Sequence, residues 1–216
     1  MKSKFLIGIK FLFQLGLRPL ALYALYKFGL LTGHYKRLDR RPQTVDHRPS
    51  STVHRFFSLP NRDQLAQTLG EEGKAILLKE ADEIVNGKVR VFGEPVLLQF
   101  TFEKPLSHWT DYETHKLPIP NYQSLIPDIK FLWEPARFGW AFALGRAYHL
   151  TQDDQYAESF WKYFEAFTQN NPANLGPHWM NGQEVAIRLM SLVWADHVFE
   201  SAPTASLERR AALHQS

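Results

Sequence analysis

The chain has 216 residues, 44% of them apolar, enough to bury a core in one ordinary domain or two small ones. It contains no cysteine, which excludes disulfides and thiolate metal sites. The net charge of +3 hides an asymmetry: residues 1–60 carry eleven Lys/Arg against Asp39 and Asp46, a net of +9, and the remainder carries −6. A basic N-terminal third suits an anionic membrane, an acidic polysaccharide or the chain's own acidic remainder. No nucleic-acid partner is expected, because no binding module is recognisable.

Residues 3–15 and 19–30 read as two short helices broken at Gly16 to Pro19, with Thr32-Gly33 ending the second. Residues 5–31 are rich in Phe, Leu and Ile, but Lys10, Arg18, Pro19 and Lys27 interrupt them. No apolar run of about 18–20 residues results. Lys2 and Lys4 followed by Phe5-Leu6-Ile7 imitate the start of a signal peptide, yet no convincing Ala-x-Ala cleavage site follows. The segment reads as an amphipathic helical pair that packs on the body or makes peripheral membrane contact through residues 1–31. A signal or anchor is the alternative, and the localisation stays open. Residues 36–60 are basic, proline-containing and weakly periodic, and read as an irregular linker. Residues 1–60 therefore form a basic N-terminal region, and residues 61–216 a helical domain.

Asn61 is positioned to cap a helix over 63–85, with Leu65, Leu69, Ile76, Leu77, Ala81 and Ile84 inward and Gly70 and Gly73 as break points. Residues 88–102 are the only good strand signal, two short strands around Gly93-Glu94-Pro95. Residues 103–127 hold four prolines and read as a long ordered loop. Helices follow over 134–150, 153–170 and 180–200, with Pro135 in the first turn of the first. Their aromatic and aliphatic repeats (Phe138, Trp140 and Tyr148; Tyr156, Phe160, Phe164 and Phe167; Leu189, Leu192 and Val198) predict buried faces. Short connections favour antiparallel hairpins. Residues 204–216 open one more helix, with Ser206 as its cap. The fold class predicted is mainly α: antiparallel helical hairpins with a short β-hairpin near 88–102.

Glu134 and Arg137, three apart, and Glu184 and Arg188, four apart, have the spacing of helix-surface ion pairs. Such pairs are common and weak, so a purely structural reading stands beside any functional one. Asn181 lies one turn before Glu184, which places Asn181, Glu184 and Arg188 on one helix face, with His178 and Trp179 in the loop just upstream. An aromatic plane beside an amide and a guanidinium suits a uronic acid: stacking on the sugar face and a bidentate grip on its carboxylate. Trp133-Glu134 sits at the start of another helix, where Trp133 is equally suited to the core. The nine His show no H-x-x-x-H or H-E-x-x-H spacing, so no metal or other cofactor is expected. Phosphate loops, nucleophile elbows and cysteine nucleophiles are absent from the sequence. Asp153-Asp154 lies at a helix start, where caps belong, and supports a glycosidase only weakly.

Five ordered blocks resemble the N-terminal helical domain of the heparinase II/III family of polysaccharide lyases. They are ADEIVNGKVRVFGEPV (81–96), Trp109-x-Asp111, DIKFLWEPAR (128–137), LGRAYHLTQDDQYAESF (144–160) and NNPANLGPHWMNGQEVAIRLMSLVW (170–194). The resemblance covers about residues 60–200. Pro135 departs from it, standing where Leu or a similar residue follows the Trp-Glu pair. The resemblance implies an incomplete α/α toroid followed by a β-sandwich, in an enzyme that cleaves uronic-acid polysaccharides such as heparan sulfate or alginate by β-elimination. That chemistry needs the carboxylate neutralised, a base near C5 and an acid near O4. In the family an Asn or neighbouring His, a Tyr and a sandwich-domain His fill these roles. No residue here matches them, and His214 is not in a matching context. The chain is therefore expected to be an N-terminal part of such a lyase, inactive alone and completed by a C-terminal part of the same protein. Trp133, Glu134, Arg137, Trp179, Asn181, Glu184 and Arg188 are the expected substrate-binding wall, with no catalytic residue among them. The alternatives are a non-catalytic helical glycan-binding module and a peripheral membrane-associated protein.

Overall fold

The computed structural model describes residues 16–40, 58–100, 105–114 and 129–215. The helix expected over 3–15 and most of the predicted linker lie outside these residues. The described part is mainly helical with one two-stranded antiparallel sheet. In order, the elements are α1 (Leu17–Leu31), α2 (His34–Asp39), α3 (Arg62–Val85), β1 (Lys88–Val91), β2 (Glu94–Leu97), α4 (Trp109–Glu113) and α5 (Lys130–Ala136). After them come α6 (Ala141–Thr151), α7 (Asp154–Asn170), a 3-10 turn (Pro177–Trp179), α8 (Gly182–Phe199) and α9 (Leu207–Gln215).

α6 is the central helix and packs on α3, α7 and α8. Its sequence allows this, since Ala141, Ala143, Leu144, Gly145, Ala147 and Tyr148 are all buried and mostly small. Gly145 is required there: a Cβ on it would lie 2.4 Å from the Trp194 ring and 2.7 Å from Val198. Around α6 the aromatic stripe of α7 closes the core, with Phe160, Trp161, Phe164 and Phe167 buried. Tyr156 and Tyr163 hold their hydroxyls on α3, donating to Asp82 at 3.0 Å and to the Val85 carbonyl at 3.3 Å.

α3 begins at a reciprocal cap, Asn61 with Gln64, and bends at Gly70, whose φ is 65°. Gly73 stays helical, so only one of the two expected breaks is used. Leu77, Ala81 and Ile84 face the core as expected, but Ile76 is 61% exposed, because the kink sets the buried stripe through Leu77. The hairpin turns at Phe92-Gly93, both with positive φ, and pairs Val91 with Glu94. Glu94 and Pro95, expected in the turn, are in β2, which ends at Leu97, and residues 98–100 are in no strand. The expected linker over 36–60 starts helical, since α2 runs to Asp39. The expected loop over 103–127 holds α4, capped by the His108 side chain.

The single helix expected over 134–150 is two helices. Pro135 lies in the last turn of α5, not in the first turn of α6. Its missing N–H removes a helical bond, and Phe138 then takes a φ of 59°. This left-handed residue swings its fully buried ring between Phe100, Phe167 and Trp140, whose centroids lie 5.9, 5.3 and 4.9 Å away. Burial of that aromatic ring outweighs helix continuity. Trp140 completes the corner by donating its indole N–H to the Pro135 carbonyl at 2.9 Å.

The last helix, α9, starts at the expected Ser206 cap. Arg210 and His214 hold it to Asp196 of α8 at 2.9 and 3.0 Å, and Arg209 reaches Glu158 and Glu165 of α7. At the other end, the α1–α2 hairpin closes tightly where Gly29 meets the Tyr35 ring. Among the described residues, the ion pairs Lys27–Glu113 at 3.6 Å and Lys36–Asp111 at 2.6 Å and a hydrogen bond between His108 and Asp39 at 2.7 Å fasten the hairpin to the α4 segment. Among the described residues no helix is long and apolar enough to cross a membrane.

Candidate functional site

Three elements meet where the sequence concentrates its polar candidates: the end of α5, the 3-10 turn and the first turns of α8. Arg137, the C-terminal cap of α5, donates from Nε and Nη2 to both oxygens of Glu184, at 2.6 and 2.8 Å, and from Nη1 to Glu134. These bonds, the one to Glu184 foremost, hold the Arg137 pKa above the usual guanidinium value against the opposing effect of partial burial. The i, i+3 pair Glu134–Arg137 forms as the spacing predicts. The i, i+4 pair Glu184–Arg188 does not, because the Arg137 fork takes both Glu184 oxygens and leaves Arg188 to turn elsewhere.

Arg188 is 4% exposed. Its Nε donates to the Ala136 carbonyl at 2.7 Å and its Nη2 to the His178 carbonyl at 3.0 Å. It thus satisfies a carbonyl at the end of α5 that the helix leaves open. Its guanidinium lies between two rings, 4.6 Å from the Phe167 centroid and 5.0 Å from that of Trp179. Burial brings its pKa down to about 10, opposed by nearby Glu184, so it stays charged at neutral pH. Its Nη1 has no hydrogen-bond partner among the described residues. His178 beside it is fully buried. Burial first, and the Arg188 charge second, hold its pKa well below the ordinary imidazole range.

Asn181 is the cap of α8 and accepts from the Gln183 N–H at 2.9 Å. With extended backbone it precedes the first turn of the helix, and its side-chain oxygen is engaged in the cap. Trp133 anchors the 3-10 turn, donating its indole N–H to the Pro177 carbonyl at 3.1 Å. Trp179 donates to the Asn171 carbonyl at 3.3 Å.

A cleft of about 260 Å³ opens between α7, the turn after it, α8 and α9, with Phe167, Asn171, Trp179, Arg188 and Leu192 in its wall. Of the seven expected wall residues, Trp179 and Arg188 reach this cleft. Glu134, Arg137 and Glu184 form the frame that fixes α5 against α8, Trp133 fixes the turn, and Asn181 caps. Sequence reasoning missed Asn171. Its amide donates to the Phe100 and Phe167 carbonyls at 2.9 and 3.0 Å, and its buried Oδ1 has no hydrogen-bond partner among the described residues. Its only signal was an Asn-Asn-Pro run, which reads as loop.

A guanidinium, an amide, an indole and a phenyl ring thus line one cleft, with Arg188 Nη1 and Asn171 Oδ1 themselves buried. Among the described residues its wall has no side-chain carboxylate or imidazole to move a proton. Among the described residues no cluster of three His, Asp or Glu is placed to hold a metal ion. No protein-family model, curated protein or solved structure matches the chain.

Proposed function

We propose that this chain recognises a uronic-acid-containing polysaccharide, of the alginate or heparan sulfate kind, as the N-terminal helical part of a lyase that cleaves by β-elimination. The observation that carries this reading is Arg188, held between the Phe167 and Trp179 rings in the wall of a cleft that Asn171 also lines. A guanidinium held in a low-dielectric pocket neutralises a uronate carboxylate strongly, and neutralisation is what makes the C5 proton removable. The Arg137–Glu184–Glu134 frame and the Arg188 bonds to two carbonyls keep the donor in place. The helical hairpins packed on α6 accord with the opening turns of an α/α toroid, and the resemblance over residues 60–200 names the reaction. The family's base and acid find no match among these residues, so the role proposed for the chain itself is recognition, with no turnover.

Titration calorimetry tests this with oligouronates prepared from alginate and with the same oligomers after reduction of their carboxylates. The reading expects binding of the acidic oligomers and loss of it on reduction, with no unsaturated product appearing in the ultraviolet. Equal affinity for both forms, or sustained formation of unsaturated product by this chain, contradicts it.

A further inference from the structure

The α1–α2 hairpin turns the usual packing order inside out. Its links to the body are polar: Lys27, Lys36 and Asp39 pair with Glu113, Asp111 and His108. The main apolar contacts are short, with Gly29 and Leu30 buried in α1 and Tyr35 against the Trp109 ring at 5.6 Å. The opposite side of α1 is apolar and open. Leu17, Ala21, Ala24, Phe28 and Leu31 follow at intervals of four, three, four and three residues, with Leu25 beside them, and all are exposed. Leu17 is 75% exposed, Phe28 64% and Leu31 84%. A continuous open stripe of this kind marks an interaction surface.

We propose that α1 lies flat in the headgroup region of an anionic lipid bilayer and anchors the protein to that surface. Charge selects this occupant. The first sixty residues carry a net of +9, and exposed Arg18, Arg37 and Arg40 accompany the stripe on the α1–α2 hairpin. A second copy of the same basic hairpin is repelled, whereas anionic headgroups are attracted. The length agrees, since the 15 residues of α1 cannot span a bilayer but suffice to lie in its interface. Tyr23, exposed and with Lys27 Nζ 5.6 Å from its ring centroid, supplies an amphipathic ring that favours the water–lipid boundary. This inference is independent of the polysaccharide cleft, which lies on α7, α8 and α9.

The test is sedimentation of the whole chain with vesicles of phosphatidylcholine alone and with roughly a third phosphatidylglycerol. Wild type is expected to partition onto the anionic vesicles and to be released by salt. The exposed double substitution Leu25→Glu/Phe28→Glu is expected to weaken partitioning by roughly tenfold or more, with an unchanged far-ultraviolet spectrum. Failure of wild type to sediment with anionic vesicles overturns the proposal, as does equal partitioning of the variant. Light scattering separates the remaining possibility: a stable dimer that the same substitution dissolves makes the stripe a protein interface and overturns the lipid assignment.

Discussion

Arg137 and Glu184 stand 47 positions apart and hold each other through two parallel bonds, of 2.6 and 2.8 Å. This fork joins the end of α5 to the first turn of α8, and Glu184 is almost wholly inside. It is a tertiary fastening, unlike the exposed same-helix pairs that contribute a few tenths of a kcal/mol. Glu184→Gln is expected to cost about 2–4 kcal/mol in denaturant unfolding, below the upper range for buried pairs because water reaches part of Arg137. An unchanged midpoint would show that the fork contributes nothing net.

Arg188 holds two carbonyls from two different elements, and this makes it structural as well as cleft-lining. Arg188→Ala leaves the Ala136 and His178 carbonyls without their donor and opens a void between Phe167 and Trp179. The expected loss is about 3–5 kcal/mol, from two charge-assisted bonds and the lost packing. Arg188→Lys restores the charge but not the fork, and is expected to recover less than half of the lost melting temperature. Full recovery by Lys would mean that charge alone matters at this position.

Stability is expected to fall on mild acidification, and His178 is the cause. Burial and the Arg188 charge keep its folded pKa well below 6.5, the unfolded value. The unfolded chain therefore binds the extra proton first. Stability is flat above that value and declines below it, with a limiting slope of about 1.4 kcal/mol per pH unit. Asp196 acts at lower pH. Burial raises its pKa, but the bonds from Arg210 and His214 outweigh this and hold it below 3.8, so its contribution fades only under stronger acid. Unfolding curves between pH 7 and 5 check the assignment: His178→Gln is expected to remove the slope in that window. A slope unchanged by this substitution assigns it to another group.

Gly145→Ala is expected to destabilise the chain by about 1–3 kcal/mol, the usual penalty for overpacking. The added methyl meets Trp194 at 2.4 Å. Pairing it with Trp194→Leu should recover most of the loss. A neutral single variant would show that α6 and α8 separate without strain.

Most of the helical architecture was legible in the sequence because its signals are local. Asn61, Asp153 and Ser206 cap where their chemistry places them, and the four-residue repeat of Tyr156, Phe160 and Phe164 marks the buried side of α7. The corner at Pro135 to Trp140 was not legible. Its left-handed Phe138 packs against Phe100 and Phe167, which are remote in sequence, as well as against nearby Trp140. The candidate site divides the same way. Spacing identified Glu134–Arg137, a local pair, but gave Glu184 the wrong partner, since the arginine that captures it comes from another element. Spacing placed Asn181 one turn before Glu184, and the structure adds that its side chain caps α8. Asn171 was invisible because a buried amide with a free oxygen is a property of packing, not of sequence.

The most direct measurement of the central claim changes the charge at the mouth of the Arg188 cleft without touching its frame. Ala173 is exposed and lines that cleft, so Ala173→Glu places a carboxylate beside the proposed uronate position while the fold is left intact. Gln67→Glu, exposed on α3, makes the same change in net charge elsewhere. At fixed ionic strength, calorimetric titration with oligouronates is expected to show about tenfold or greater weakening for Ala173→Glu, the size of a lost charge-assisted contact. Gln67→Glu is expected to match wild type. Equal affinity for Ala173→Glu and wild type, or equal weakening by both variants, would contradict recognition at this cleft and leave only diffuse attraction of a polyanion to the basic N-terminal third.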